Sequence, residues 1–371
     1  GLQKSPFFYK DKMRPSTNLF SDQKFRSIFI QTLVVGLFAL GLYSLVNTTA
    51  YNLEQRDITT GWRFLSNPAG FDISFSPFLD YKSSDTHLKV YFVGLLNTLL
   101  VSFCGCIAAT ILGFFVGIIR LSSNWLLSRI AYVYVEFTRN VPLLLQIILW
   151  YSILIRLPRV KEALQFLDYF FVSNRGLYSP KPIFESGFIY VFIAFILAII
   201  SSFFIKQWAK NKQEKTGEQF PVFYTSLGLI IIIPLILFFV LGSPLSFNYP
   251  ELKGFNFKGG LVIRPEFLAM FLALSIYTAA FISETVRAGI LSVTKGQREA
   301  SAALGLKQNL IMRLIIIPQA LRVIVPPLTS QYLNLTKNSS LGIAVGYADL
   351  VHGFGGISLN QTGQSIECMS I

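Results

Sequence analysis

The sequence predicts an all-α integral membrane protein with about seven spans, and three observations carry that prediction. Of 371 residues, 53% are hydrophobic and only 14% are charged, with a mean hydropathy of +0.54. A soluble fold usually keeps about a quarter of its residues charged. The apolar residues fall in runs of roughly 20, the length a helix needs to cross the hydrocarbon core. The basic residues behind the net charge of +13 cluster between those runs, as the cytoplasmic loops of membrane proteins do. Nucleic acid is disfavoured as a partner, because no recognition fold fits such a composition. Cys104 and Cys106 sit inside an apolar run and Cys368 lies near the end, so the cysteines form no disulfide framework.

Taken in order, residues 1–26 form a basic arm with Lys4, Lys10, Lys12, Arg14, Lys24 and Arg26 against Asp11 and Asp22. This arm stays in the cytoplasm, so a first span over about Ser27 to Val46 runs outward, into a polar external loop reaching about Lys89. The second span, about Tyr91 to Ile119, returns and ends at Arg120. Its Gly105, Ala109, Gly113 and Gly117 recur every four residues, a smooth seam for close helix packing. A third span is entered through Glu136-Phe137-Thr138-Arg139-Asn140-Val141-Pro142 and ends near Arg156. Glu136 and Arg139, three apart, can pair on one helix face.

Residues 157–187 are polar and external; a fourth span, about Phe188 to Ile205, leads to a cytoplasmic hairpin carrying Lys206, Lys210, Lys212 and Lys215. The fifth span, about Val222 to Leu241, and a Gly/Pro-rich external loop over 242–264 follow. The sixth, about Pro265 to Ile290, closes with Glu284-Thr285-Val286-Arg287, which repeats the spacing of Glu136 and Arg139. Both pairs read as structural ion pairs at helix ends, the alternative being a direct part in transport.

The next stretch, Gly296 to Gly305, is a polar, alanine-rich island on the cytoplasmic side. Alanines favour helix, Glu299 suits the dipole near a helix start, and Gly305 serves as a stop. A seventh span, about Ile311 to Leu333, carries Pro318, Pro326 and Pro327 and is expected to kink or to hold short helical pieces. Beyond it, Lys337, Asn338 and Ser339 lie in a polar patch, which reads either as a snorkelling helix end or as the lining of a substrate path. The tail, Gly353 to Ile371, is Gly-rich and polar, and with Gly1 in place of Met it suggests a fragment.

The chemistry-bearing sets are sparse. His87 and His352 lie in loops far apart, so neither a catalytic triad nor a metal site is supported, and no Gly-x-x-x-x-Gly-Lys-Ser/Thr stretch cradles phosphate. If the chain takes part in active transport, the energy must come from a partner or an ion gradient. A secondary transporter or channel without an ATPase would need charged or polar groups at mid-membrane for ion coupling, and the spans are nearly clean of Asp and Glu.

Glu299-Ala300-Ser301, Gly305 six residues after the glutamate, and Ile315-x-Ile317-Pro318 resemble the EAA loop of bacterial ABC importer permeases. Ser301 and Ile317 are mild departures from Ala and Leu. More narrowly, Pro318-Gln319-Ala320-Leu321-Arg322, Pro326-Pro327-Leu328, Lys337-Asn338-Ser339-Ser340-Leu341, and the stretches 136–144 and 284–290, resemble the polar and general L-amino-acid permeases. The resemblance covers about residues 88–350. It implies a permease domain over 88–371 with an inserted two-span hairpin around 188–241, preceded by an extra span and loop over 27–87. It also implies an eighth span, which is missing here.

By the same resemblance the chain lies in the bacterial inner membrane and is not itself an enzyme. It binds no cofactor, ATP being used by partner ATPase subunits. Its other implied partners are a second permease in a heterodimer, a periplasmic binding protein and an amino-acid substrate. Glu299, Ala300, Ser301, Gly305 and Pro318 are the implied ATPase-docking residues.

Overall fold

The computed structural model describes residues 23–55 and 61–370, so the basic arm lies outside the described residues as far as position 22. The chain divides into two units, residues 1–65 with 359–371, and residues 66–358. In the first unit, α1 (Gln23–Gln55) is apolar and exposed along the whole of its membrane-length stretch. The backbone N–H of Gly61 there donates to Glu367 Oε1 at 2.6 Å. Two short helices of this unit, Leu359–Thr362 and Ser365–Ser370, end the chain.

The second unit opens with α2 (His87–Ile119), followed by α3 (Trp125–Asn140) and α4 (Leu143–Ile155). Asn124 caps α3 by accepting from the N–H groups of Leu126 and Leu127 at 3.0 and 3.2 Å. The third expected span is therefore two helices, bent by 105°. Pro142 explains the break: it forces Val141 into an extended conformation (φ −94°, ψ 125°) and then stands as the N-cap of α4.

The polar stretches on either side of the next two helices are not plain loops, and the chain is not purely α. They fold into β1 (Leu164–Phe166), β2 (Phe170–Ser173), β3 (Gly176–Ser179), β4 (Lys181–Phe184), β5 (Leu245–Asn248), β6 (Glu251–Lys253), β7 (Asn256–Lys258) and β8 (Leu261–Ile263). Antiparallel pairing orders one sheet β1-β2-β3-β8 and joins β4 to β5 and β6 to β7. Backbone groups in a polar segment must find partners, and strands of three or four residues satisfy them across two stretches distant in sequence. This pairing requires residues 157–187 and 242–264 to lie on one side of the molecule. Between them, α5 (Phe188–Thr216) and α6 (Val222–Val240) pack on each other and are otherwise largely exposed.

The centre is α7 (Pro265–Leu291), which starts with proline at its first turn and touches α2, α3 and α4. The glycine seam of α2 does meet a helix. A Cβ on Gly113 would stand 2.6 Å from Ile282 Cβ, and one on Gly117 2.8 Å from the Ser283 carbonyl oxygen, both on α7.

After α8 (Lys295–Ala303) and α9 (Gln308–Ile311), a π-helical turn over Met312–Ile316 leads into α10 (Ile317–Asn338). Pro326 and Pro327 both lie within the one helix α10, so the division into short helical pieces does not fall there. The irregularity precedes Pro318 instead, where the wide turn makes room for the ring and proline takes the first turn of a new helix. The helical run continues as far as Val345. Lys337 and Asn338 are thus the end of α10, with Ser339 opening the 3-10 turn that follows.

The tail is more structured than its composition suggests. Leu350–Ser358 forms π-helical turns against α2, and a Cβ on Gly94 would come 2.9 Å from the Leu350 Cα. Between α7 and α10 the fit is closer still, a Cβ on Gly289 overlapping Ile324 Cγ1. Gly289→Ala is expected to destabilise the protein by about 1–3 kcal/mol through overpacking. Combined with Ile324→Ala it should cost less than the sum of the single changes, which a double-mutant cycle of thermal unfolding measures.

Candidate functional site

The island at 295–305 folds as a short helix with two distinct faces. Ser301 is its buried residue, and its hydroxyl donates to the Gln297 carbonyl one turn back. Arg298 turns inward as well, its Nη2 donating to the Ile290 carbonyl of α7 at 3.1 Å. Gln297 is bonded through its side-chain oxygen to Gln319 Nε2 of α10. One face of α8 is therefore tied to both flanking spans.

The other face is bare. Glu299, Ala300, Ala302 and Ala303 are exposed, and Leu304 is 80% exposed.

The C-terminal stop is a two-bond cap. The Gly305 N–H donates to the Ala302 carbonyl at 2.9 Å and the Leu306 N–H to the Ser301 carbonyl at 3.3 Å. This cap needs a left-handed residue, and Gly305 has φ +76°. Leu306 then packs on the core beside α9, so the bare helix is held rigidly at both ends. Pro318 lies exposed at the start of α10, one residue before the glutamine that reaches α8.

At the same end of the bundle, Glu284 accepts from Arg287 Nη2 at 2.7 Å and is bonded to Arg120 Nη1 at the end of α2. The Arg120 side chain is only 7% exposed and also stands 5.6 Å from the centre of the Tyr132 ring of α3. The expected pair Glu284 and Arg287 is thus a triad that joins α7 to the end of α2, and Arg120 extends it to α3 through the Tyr132 ring. Glu136 and Arg139 do not pair: Arg139 lays its guanidinium over Phe281 of α7, 5.3 Å from the ring centre. On that exposed helix end, the aromatic face of the neighbouring span holds the guanidinium better than a solvated carboxylate does.

The three candidate path residues separate. Ser339 is buried and donates to Asp349 Oδ2 at 3.5 Å; burial raises that carboxyl's pKa, against the His352 N–H at 2.8 Å. Asn338 is half-buried and Lys337 exposed. Lys337 continues a stripe on α10, with Arg322, Pro326, Ser330 and Asn334 exposed at steps of three or four. Applying the helical period to the whole of 317–338 would have found Arg322, Ser330 and Asn334. His87 heads α2, bonded to Ser358 at 3.0 Å, and among the described residues no group of His, Cys, Asp or Glu could hold a metal.

A bundle of membrane-length helices thus holds a short helix, bare on one face, between α7 and α10. The family described as binding-protein-dependent transport system inner membrane component matches over residues 219–361. The general L-amino acid transport system permease protein AapQ of Rhizobium johnstonii is 48% identical over 351 residues, 94% of this chain and 87% of its own. The putative amino-acid ABC transporter permease protein YhdX of Escherichia coli K12 is 48% identical over 328 residues, 88% of this chain and 83% of its own. BztB of Rhodobacter capsulatus, a glutamate/glutamine/aspartate/asparagine transport system permease, is 44% identical, over 95% of this chain and 89% of its own. The chain belongs to the amino-acid ABC transporter permeases, within the binding-protein-dependent inner-membrane components. It is a multi-pass subunit of the inner membrane, and the ATPase activity of such systems resides in a separate subunit.

Proposed function

We propose that this chain carries amino acids into the cytoplasm as one of two permeases, receiving substrate from an external binding protein and driven by cytoplasmic ATPases through α8. The observation that carries the reading is the two-faced build of α8. Its inner face is bonded to α7 and α10, and its outer face offers Glu299, Ala300 and Leu304 to a partner. A groove closing on that outer face moves both spans together, which is what exchanging outward-open and inward-open states requires.

Seven crossings fit this reading, with α3 and α4 as one broken span. The shared sheet keeps 157–187 and 242–264 on one side, α7 carries the chain across, and α8 emerges opposite with Lys295, Arg298 and Lys307. The Lys-rich end of α5 falls on the α8 side too, so the positive-inside bias makes that side cytoplasmic and the strands external. Residues 88–371 then form the permease domain, with α5 and α6 as a lateral insertion. The stripe from Arg322 to Lys337 is too polar for lipid and faces either the second permease or the solute path. Uptake of a panel of radiolabelled amino acids into vesicles holding the complete transporter tests the reading. Uptake requiring both ATP and the binding protein is expected, and uptake driven by an ion gradient alone contradicts it.

A further inference from the structure

The external strands carry a feature that the transport reading leaves unused. Residues 156–185 and 242–264 hold eight Lys or Arg against four Asp or Glu, on the side where the sidedness bias disfavours cations. Among the described residues only one ion pair, Lys253 with Glu251 at 2.9 Å, neutralises any of them.

The strands fix these cations on a built surface. Phe257 of β7 packs its ring 4.6 Å from both Phe171 of β2 and Tyr178 of β3, locking the β6–β7 hairpin onto the sheet. Beside it lies a concave cavity of about 420 Å³, lined by Arg159, Lys161, Asn174, Arg175 and Phe255, with Glu162 as the single acidic residue of the lining, so three cations outweigh one carboxylate there. Phe255, at the hairpin turn, is 79% exposed with the Lys161 ammonium 4.1 Å from its ring centre. A second cavity of about 580 Å³ on the same strands is lined by Tyr249, Lys258 and the paired Lys253 and Glu251.

Arginine beside exposed aromatic rings is the composition of protein-binding hot spots. Lipid-attracting clusters instead sit on amphipathic or juxtamembrane helices, whereas these cations come from separate segments gathered around a hollow. We propose that this basic face is the docking surface for an acidic patch on the external binding protein. The Arg159, Lys161 and Arg175 cavity would be its centre. The proposal rests on the importer reading above and names where its soluble partner lands.

The test uses the complete transporter in vesicles and reads the binding-protein concentration that half-maximally stimulates ATP hydrolysis. In a variant carrying Arg159→Glu, Lys161→Glu and Arg175→Glu, that concentration should rise by about tenfold or more at low ionic strength, with basal hydrolysis unchanged. The neutral variant Arg159→Gln, Lys161→Gln, Arg175→Gln should show a smaller rise. Added salt should weaken the wild-type response and leave the charge-reversed one nearly flat. Unchanged half-maximal concentrations in both variants would overturn the docking surface. So would a defect that follows the vesicles' anionic-lipid content, since that assigns the face to headgroups. A wild-type transporter that no binding protein stimulates removes the importer reading and this surface with it, an outcome visible before any variant is made.

Discussion

Replacing Gly305 with proline is expected to abolish ATP-driven uptake while the chain still inserts in the membrane. Gly305 sits at φ +76° with its N–H bonded to the Ala302 carbonyl. Proline fixes φ near −65° and has no N–H to give, so both elements of the cap are lost. An ordinary L-residue in the left-handed region costs roughly 1–2 kcal/mol, and asparagine tolerates it best. Gly305→Asn should therefore retain most of the uptake that Gly305→Pro loses. A Cβ at Gly305 meets nothing within 4 Å, so the effect is one of backbone conformation and not of crowding. Glu299→Lys reverses a charge on the exposed face and touches no internal bond, and it should cut uptake about tenfold by weakening docking, as loss of one charge-assisted contact does. Uptake and ATP hydrolysis measured in the same vesicles distinguish the cases: hydrolysis should persist at its basal rate and cease to respond to substrate.

Gly113→Leu is expected to be strongly destabilising to the membrane bundle. The seam between α2 and α7 leaves no room, since even a Cβ would stand 2.6 Å from Ile282 Cβ and Cγ2 and 3.0 Å from the Ala279 carbonyl oxygen. Those atoms belong to a helix buried against several others, so neither helix can step aside. Overpacking of this kind costs about 3 kcal/mol or more when the surroundings cannot yield. Thermal unfolding of the purified complex should show a fall of several degrees or the loss of folded protein. The matched control is Gly36→Leu on α1, where nothing lies within 4 Å and no loss is expected.

The spans were legible because a membrane imposes a length, and runs of some 20 apolar residues need no partner to be recognised. The glycine seam of α2 and the cap at Gly305 were legible for a similar reason: spacing along one helix fixes which residues share a face, and a helix stop has a preferred residue. The break before α4 could have been read from Pro142 alone. The strands could not, because segments of three or four residues with mixed polarity carry too short a pattern, and β3 finds its partner β8 more than eighty positions away. Distance hid the working contacts of the site as well. Arg120 reaches Glu284 across 164 positions, and Gln297 reaches Gln319 across 22, so local spacing showed Glu284 with Arg287 but neither of these ties. Glu136 and Arg139 had the same three-residue spacing as a true pair, and the aromatic ring of Phe281 decided against it.

The proposed coupling depends on α8 being the contact with the ATPase. Ala300 is exposed and its side chain has no part in the bonds that Arg298 and Ser301 make, so a cysteine there leaves those bonds intact. With Ala300→Cys in the complete transporter and a short thiol-to-lysine crosslinker, a covalent product containing the ATPase subunit is expected, with a yield that changes when ATP is bound. A product of this kind from a cysteine placed at Phe255 and none from Ala300 would contradict both the sidedness and the role assigned to the helix.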